Sequence, residues 1–357
     1  EPQVRFFLGA NSPSGFYSLY DQLIDPVQAR EILILKGGPG CGKSSLMRRV
    51  GQAAEKKGLD VEYIDCSGDP DSLDAVVIPQ LRTAIVDGTA PHVVEPKYPG
   101  AVERYVNLGD CYDKPALEQI KPEIISCMEG YQDCYARAYR CLAASAQIGE
   151  DVRALLDTPY LEAKTAKRAR GILSREVKKT GGEPGRATQR FLGGVTWRGL
   201  LCRFDTADAL CKRVYELSDS YGLAHSLLTH LAAGAMAAGH DVILCPSPMA
   251  PDRLEHLLIP ALSLAFVSTR PGLSYERRPY RRIRLEGMAD PELLHRNKAR
   301  LKFSCKVSAA LMEEAVESLA QAKAMHDALE QLYNPHVDFP RVYQTADRIA
   351  QRLLSQI

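Results

Sequence analysis

A glycine-rich octapeptide is the part of the sequence whose residue types and spacing most clearly predict chemistry. Residues 37–44, Gly-Gly-Pro-Gly-Cys-Gly-Lys-Ser, fit the spacing G-x-x-x-x-G-K-[ST] in full. Glycines let the chain curl so that successive backbone N–H groups face phosphate oxygens, and the lysine adds a positive charge. An apolar run precedes the octapeptide and a helical pattern follows it. The segment therefore predicts a loop that binds the phosphates of a nucleotide.

Each residue of this loop has a predicted role. Lys43 is predicted to reach the β- and γ-phosphates, and the Ser44 hydroxyl is predicted to bind Mg²⁺. The residues predicted to contact the nucleotide are Gly37, Gly38, Pro39, Gly40, Cys41, Gly42, Lys43, Ser44 and Ser45. The predicted cofactors are ATP and Mg²⁺. ATP is favoured over GTP because the sequence has no Asn/Thr-Lys-x-Asp segment that would read guanine.

Two apolar runs after the loop end in aspartate, and both are predicted to be strands. They are residues 61–65 and 83–87. We assign Asp87 as the acid that holds the magnesium shell, because an apolar run followed by Asp-Gly is typical of a buried strand that opens into a site loop. Lys43 and Asp87 are therefore the predicted catalytic residues, and Ser44 and Asp87 are the predicted metal ligands.

Further polar residues lie near this acid in the sequence. Asp69, Asp71 or Asp74 could orient water or bind an acceptor hydroxyl, or Asp69 or Asp71 could cap a short helix that ends at Leu81. His92 could sense the γ-phosphate or be an ordinary loop histidine. No residue in this stretch identifies the catalytic base.

The elements that must position these residues recur in a second copy. The matching segments are 7–15 with 191–199, 58–61 with 239–242, 70–74 with 251–255, and 78–81 with 259–262. Repeated segments in one register predict a duplicated architecture. We therefore predict an α/β fold of two tandem P-loop NTPase-type domains, each with a mainly parallel sheet flanked by helices and with appended helical segments.

The second copy lacks the residues that a phosphate site needs, because its loop falls at residues 219–226. The replacements are His225 for Lys43, Ala224 for Gly42, Asp219 for Gly37, and Ser268 for Asp87. Without the lysine, the glycines and the metal acid, we expect no Mg·nucleotide site there. This degenerate half would be structural or regulatory, or would hold another ligand.

The repeat also sets the predicted domain bounds. Residues 1–160 form the domain with the intact loop, residues 161–186 a basic linker with Gly and Pro, and residues 187–357 the degenerate copy. Helical extensions are predicted over about 115–156 in the first copy, and over 291–333 and 339–354 in the second. These helices pack on their own core or on each other, or they dock a protein partner or a second copy of the chain.

Charge and composition narrow the classes of partner and compartment. Lys and Arg number 45 against 44 Asp and Glu, so the balance requires no polyanionic partner. The basic cluster at 164–190 belongs mainly to the linker. The cluster at 270–284, with tyrosines interleaved, could still contact nucleic acid or supply an arginine finger, although charge runs are usually solvated faces. The sequence has no leader pattern, no long apolar run and no CxxC pair. We therefore predict a cytoplasmic protein with no membrane partner.

Taken together, these segments resemble a family of uncharacterised bacterial P-loop ATPases built from two tandem P-loop-like halves. The resemblance lies in segments 7–15, 35–44, 69–74, 87–92 and 97–100. It implies nucleotide binding but no particular activity. The degenerate second loop departs from a pattern with two working sites.

The leading functional hypothesis is an ATP-binding NTPase, which hydrolyses Mg·ATP or acts as a switch at one site in the N-terminal half. One alternative is a small-molecule or nucleotide kinase that uses the same loop, which acceptor-dependent ADP formation would reveal. Another alternative is a nucleotide-gated binding module, including one for nucleic acid, which would bind nucleotide tightly with negligible turnover. The enzyme hypothesis depends on Lys43 and Asp87.

Overall fold

The first half of the chain folds into strands and helices that alternate around a sheet, in a computed structural model that describes residues 3–355. The strands are β1 (Val4–Phe7), β2 (Gly9–Ser12), β3 (Gly15–Ser18), β4 (Glu31–Lys36), β5 (Glu62–Asp65), β6 (Leu73–Ile78), β7 (Thr83–Asp87) and β8 (Glu103–Asn107). The helices are α1 (Lys43–Lys56), α2 (Lys114–Gln119), α3 (Lys121–Leu156) and α4 (Pro159–Glu176).

The second half repeats this succession of strands, with an added helix between its third and fourth strands. Its strands are β9 (Ala187–Gln189), β10 (Gly193–Thr196), β11 (Gly199–Cys202), β12 (Arg213–Ser218), β13 (Val242–Ser247), β14 (Ala250–Ile259), β15 (Leu264–Thr269) and β16 (Arg281–Arg284). Its helices are α5 (Phe204–Leu210), α6 (Ala224–Ala237), α7 (Pro291–Arg296), α8 (Lys298–Tyr333) and α9 (Phe339–Leu354). Across residues 3–355, no helix combines the length and the apolar character that crossing a membrane requires.

Two six-stranded sheets share one topology. The first has the order β1-β5-β6-β7-β4-β8 and the second the order β9-β13-β14-β15-β12-β16. In each sheet one strand, β6 or β14, runs antiparallel to both neighbours, and the other pairings are parallel. The prediction of an α/β fold with two sheet-bearing halves is confirmed, and the sheets are mixed rather than purely parallel.

Strand β6 corrects one alternative from the sequence. A short helix ending at Leu81 is wrong, because Leu73–Ile78 is a buried strand and only Pro79–Leu81 forms a 3-10 turn. The run Ala-Val-Val-Ile at its end explains this outcome, since β-branched side chains pack well on a pleated surface. Asp69 and Asp71 therefore cap no helix leading to Leu81.

The chain divides into two compact units, each made of segments that are discontinuous in sequence. The first-sheet unit comprises residues 3–9, 18–137 and 317–355 of the described chain, and the second-sheet unit comprises 10–17 and 138–316. By contrast, the repeat divides the chain into continuous copies. Within the predicted linker 161–186, residues up to Glu176 belong to α4.

The last helix completes the core of the first-sheet unit. Helix α9 occupies the predicted range 339–354, but it packs on α1 rather than on the sheet of its own copy. Its buried side chains join the core beside β4 and α1, and they are Val342, Ala346, Ile349, Ala350 and Leu353. In the second-sheet unit, α4 packs on α6 in the same way. The expectation that these helices pack on their own copy is therefore wrong for α9.

Candidate functional site

The glycine-rich loop, residues 37–42, connects β4 to α1 as the sequence predicts. Strand β4 is almost entirely buried, which suits its continuous apolar run in the interior of a mostly parallel sheet. Gly40 has φ +67° and Gly42 has φ +86°, whereas Cys41 between them is not left-handed. Where right- and left-handed residues alternate, successive N–H groups turn toward one side and make an anion-binding concavity. The two left-handed glycines make this loop the candidate anion site of the first-sheet unit.

The outer side of the glycine-rich loop is packed against other parts of the first-sheet unit. A Cβ atom on Gly38 would lie 2.6 Å from the Tyr112 hydroxyl, and one on Gly42 would lie 3.2 Å from Val342. With its amide turned to satisfy both atoms, Asn334 donates to the Gly40 carbonyl at 2.9 Å. These contacts hold the loop from the outside and leave no room there for larger residues.

Lys43, in the first turn of α1, lies between the loop and Asp87. Its Nζ donates to the carbonyl oxygens of Gly37 and Gly38 at 2.9 Å each, and it lies 3.5 Å from Asp87 Oδ2. Asp87 ends β7, directly beside Leu35 of β4 in the sheet register. The parallel pairing of β4 and β7 thus brings together the two residues that the sequence predicts to be catalytic.

Other predicted loop residues have distinct surroundings. Ser44 Oγ accepts a hydrogen bond from the Leu73 amide at 2.9 Å, and Ser45 is exposed. The Cys41 thiol is buried 4.0 Å from Lys43 Nζ. Burial raises the pKa of the Cys41 thiol, and the lysine opposes this only in part. Cys41 is therefore a packing residue of the loop and not an activated thiol.

A buried polar cluster lies beside Asp87. Asp74 in β6 accepts a hydrogen bond from the Tyr20 hydroxyl at 2.9 Å, and His92 Nε2 lies 3.7 Å from its other oxygen. The Tyr20 ring stacks on the His92 ring, with 4.7 Å between the centroids. Burial raises the pKa of Asp74, and Asp87 adds to this effect while His92 opposes it. The sequence named Asp74 and His92 only as alternatives and missed Tyr20.

The other acidic candidates lie outside this cluster. Asp65 is buried at the end of β5, where Arg5 donates to its carboxylate at 2.5 Å. Asp69 accepts from the Ser72 hydroxyl and lies 3.5 Å from Lys323 Nζ. Asp74, by contrast, shares with Asp87 a group of ligand atoms within 4.8 Å of one another. Asp74 is therefore the acidic candidate that the fold brings to Asp87.

In the second-sheet unit, the side chain of Asp219 binds the backbone amides at the start of α6. Asp219 Oδ1 accepts from the Leu223 amide at 2.8 Å, and Oδ2 accepts from the Ala224 amide at 2.9 Å. Amides at a helix N-terminus are the groups that would otherwise bind phosphate. Asp219 thus occupies these donors from within the chain.

The structure shifts the predicted loop alignment by one residue. In the first copy Ser44 Oγ accepts from the Leu73 amide, and in the second His225 Nδ1 accepts from the equivalent Leu254 amide at 2.9 Å. His225 therefore takes the place of Ser44, and Ala224 takes that of Lys43. The predicted alignment of His225 with Lys43 is wrong, because the loop between strand and helix is one residue shorter in the second copy. The amine is lost in either alignment.

We expect Asp219 to make the stability of the second-sheet unit depend on pH. Burial raises the pKa of Asp219 to about 6, from 3.8 for a free side chain, although the two amides lower it. A group whose pKa is raised by folding stabilises the fold below its unfolded pKa, and this contribution is lost as the pH rises through the folded pKa. The free energy of unfolding should therefore fall between pH 4 and pH 6, by up to about 3 kcal/mol from this group.

Urea unfolding of the wild type and of Asp219→Asn across that pH range measures this contribution. The asparagine carbonyl can still accept from one amide but does not titrate. As the pH rises from 4 to 6, the free energy of unfolding of the wild type should decrease relative to that of Asp219→Asn. A difference that stays constant with pH would contradict the raised pKa.

The geometry of the first-sheet unit thus joins a glycine-rich loop, a lysine, a serine hydroxyl and a strand-end aspartate at one edge of a mostly parallel sheet. Comparison of the chain with protein-family models, with curated proteins and with solved structures found no match.

Proposed function

We propose that the first-sheet unit binds Mg·ATP at the glycine-rich loop and hydrolyses it at a single site per chain. The observation that carries this proposal is the position of Lys43 Nζ, between two loop carbonyls and Asp87 Oδ2. Phosphate oxygens would replace the two carbonyls as partners of the ammonium group, because an ammonium group binds a charged phosphate more strongly than a neutral carbonyl. Lys43 would then counter the charge that develops toward the leaving oxygen.

The oxygen ligands beside Lys43 fit a magnesium ion. Mg²⁺ prefers oxygen and is usually held by one or two protein groups together with substrate phosphates. Ser44 lies in the first turn of α1, and Asp87 is the last residue of β7, the strand beside β4. The Ser44 hydroxyl and the Asp87 carboxylate would be the protein ligands of the ion. When bound, Mg²⁺ would neutralise charge on the β- and γ-phosphates. Asp87 is held for this role by Thr89, whose amide and hydroxyl donate to Oδ1.

The second half supports a count of one nucleotide per chain. Asp219 already accepts from the two amides at the start of α6, and Ala224 at the place of Lys43 offers no amine. A nucleotide would have to displace a buried carboxylate and would meet like charge there. We therefore propose that this half is a pseudo-NTPase.

Calorimetry with ATP and GTP, combined with phosphate release, tests the proposal. We expect one ATP per chain, and we expect Mg²⁺ to strengthen its binding. In Ser44→Ala the loss of the hydroxyl ligand should remove most of the gain from Mg²⁺, about 10-fold in affinity, or about 1.4 kcal/mol. Ser220→Ala, an exposed serine in the second loop, is the matched control and should behave like the wild type.

The outcomes separate the competing functions. Two bound nucleotides per chain would overturn the pseudo-NTPase assignment, and no binding would overturn the proposal as a whole. Binding without phosphate release, but with ADP formation on addition of an acceptor, would establish the kinase alternative. Tight binding without turnover under any of these conditions would establish the nucleotide-gated binding module.

A further inference from the structure

Three buried side chains bring metal-ligand atoms together beside the proposed nucleotide site. Asp74 comes from β6, Asp87 from the end of β7, and His92 from the loop that follows β7. One ligand atom from each residue, a carboxylate oxygen or a ring nitrogen, lies within 4.8 Å of the other two, and the three residues are only 4%, 9% and 6% exposed. Two carboxylates and one imidazole at this spacing can share one divalent ion after small side-chain adjustments.

The surroundings of the cluster orient its ligand atoms. The Tyr20 hydroxyl donates to Asp74 Oδ2, which directs Oδ1 toward His92, 3.7 Å from Nε2. The face of the Tyr20 ring also holds the imidazole plane through stacking. One tyrosine thus fixes two of the three ligands, as the outer partners of metal sites do.

The two buried carboxylates of the cluster need a compensating positive charge. Burying carboxylates is costly unless a positive charge or a metal compensates them. Lys43 lies 3.5 Å from Asp87, whereas in residues 3–355 no lysine or arginine lies within 4.0 Å of Asp74. An ion between the three side chains would compensate Asp74 directly.

The second copy shows how the same place is neutralised without an ion. There Glu255 stands for Asp74, and Arg270 Nη2 lies 3.6 Å from its carboxylate. The equivalent of Arg270 in the first copy is Thr89, which follows from the matched strands β7 and β15. His256 Nε2 also lies 4.0 Å from Glu255. The second copy therefore has one acid with an arginine and a histidine, whereas the first copy has two acids and a histidine. This difference within one chain points to an external cation in the first copy.

We infer that Asp74, Asp87 and His92 bind a divalent transition metal ion in the absence of nucleotide. The imidazole ligand favours ions such as Mn²⁺, Fe²⁺ or Zn²⁺ over Mg²⁺, which strongly prefers oxygen. This site shares Asp87 with the proposed Mg·ATP site but needs neither the glycine-rich loop nor ATP. It goes beyond ATP binding and stands or falls separately from it.

Electron paramagnetic resonance of Mn²⁺ added to nucleotide-free, chelator-treated protein tests the site. We expect one Mn²⁺ per chain, with a coupling to nitrogen in the electron spin echo signal that reports the His92 ligand in the unmodified protein. His92→Gln should remove this coupling and weaken binding at least about 10-fold, and Tyr20→Phe should weaken it by about 10-fold while keeping the coupling. His295→Gln, at an exposed histidine in the second-sheet unit, should leave both unchanged.

Lys43→Ala separates this inference from the proposed function, because it should bind Mn²⁺ with unchanged nitrogen coupling while it loses ATP. If the wild type binds Mn²⁺ only when ATP is present, or binds it without nitrogen coupling, the inference is overturned and Asp74 and His92 form an ion pair alone. If Mn²⁺ binds with nitrogen coupling and ATP does not bind, the metal site stands and the ATP proposal fails. Excess Mg²⁺ should not displace Mn²⁺, and ready displacement would count against the imidazole ligand.

Discussion

Lys43→Ala is expected to weaken the binding of Mg·ATP by about 100-fold or more and to abolish phosphate release. The Lys43 ammonium group lies between the carbonyls of Gly37 and Gly38 and the carboxylate of Asp87, at the position where we propose that the phosphates bind. A contact of a charged group contributes about 1.5–3 kcal/mol, so the loss of two phosphate contacts amounts to about 3 kcal/mol or more. That energy corresponds to about two powers of ten in the dissociation constant.

The matched control is Lys56→Ala, which removes the same charge at the other end of α1. Lys56 is exposed in the last turn, about 20 Å along the helix from Lys43, so the variant should bind ATP like the wild type. Lys43→Arg should not restore phosphate release, because the larger planar guanidinium cannot take the place of a compact ammonium group. Equal affinities for Lys43→Ala and Lys56→Ala would remove the basis of the proposed function.

Local sequence pattern was sufficient to predict the part of the candidate site that the glycine-rich loop, α1 and β7 form. The glycine spacing predicted the loop and the helix that follows it, which is α1. The apolar run before Asp-Gly predicted β7, and with it Asp87 beside Lys43. Both signals are short-range, and parallel strands carry their carboxyl ends to one edge of the sheet.

The rest of the site depends on contacts that no local pattern encodes. Tyr20 reaches Asp74 across 54 residues of sequence, because the antiparallel strand β6 is placed between β5 and β7. The run of β-branched residues in β6 was a signal that could have revealed this strand. A one-residue difference in loop length misaligned His225, since short matching segments do not fix the register between them. The contact of α9 with α1 joins elements almost 300 residues apart in sequence, which no local pattern reveals.

Val342→Asp is expected to unfold the first-sheet unit and, with it, to remove ATP binding. Val342 in α9 is fully buried, and its Cγ1 would lie 3.2 Å from a Cβ atom on Gly42, the residue that precedes α1. An aspartate there would place a carboxylate in the apolar core. Such burial costs several kcal/mol, which is a large part of the 5–15 kcal/mol that typically stabilise a protein. Limited proteolysis and urea unfolding would report the loss.

The control is Gln344→Asp, which introduces the same charge on the exposed face of α9. This variant should remain folded, so unfolding of Val342→Asp would come from the burial of the charge. The milder Val342→Ala should lower the free energy of unfolding by about 2 kcal/mol through lost burial and a small cavity. If Val342→Ala is less stable but binds ATP as the wild type does, α9 acts only as part of the core. If its affinity falls while its stability is unchanged, the contact with Gly42 instead sets the form of the glycine-rich loop. Either result assigns the role of α9, and a Val342→Asp variant as stable as Gln344→Asp would contradict the packing of α9 on α1.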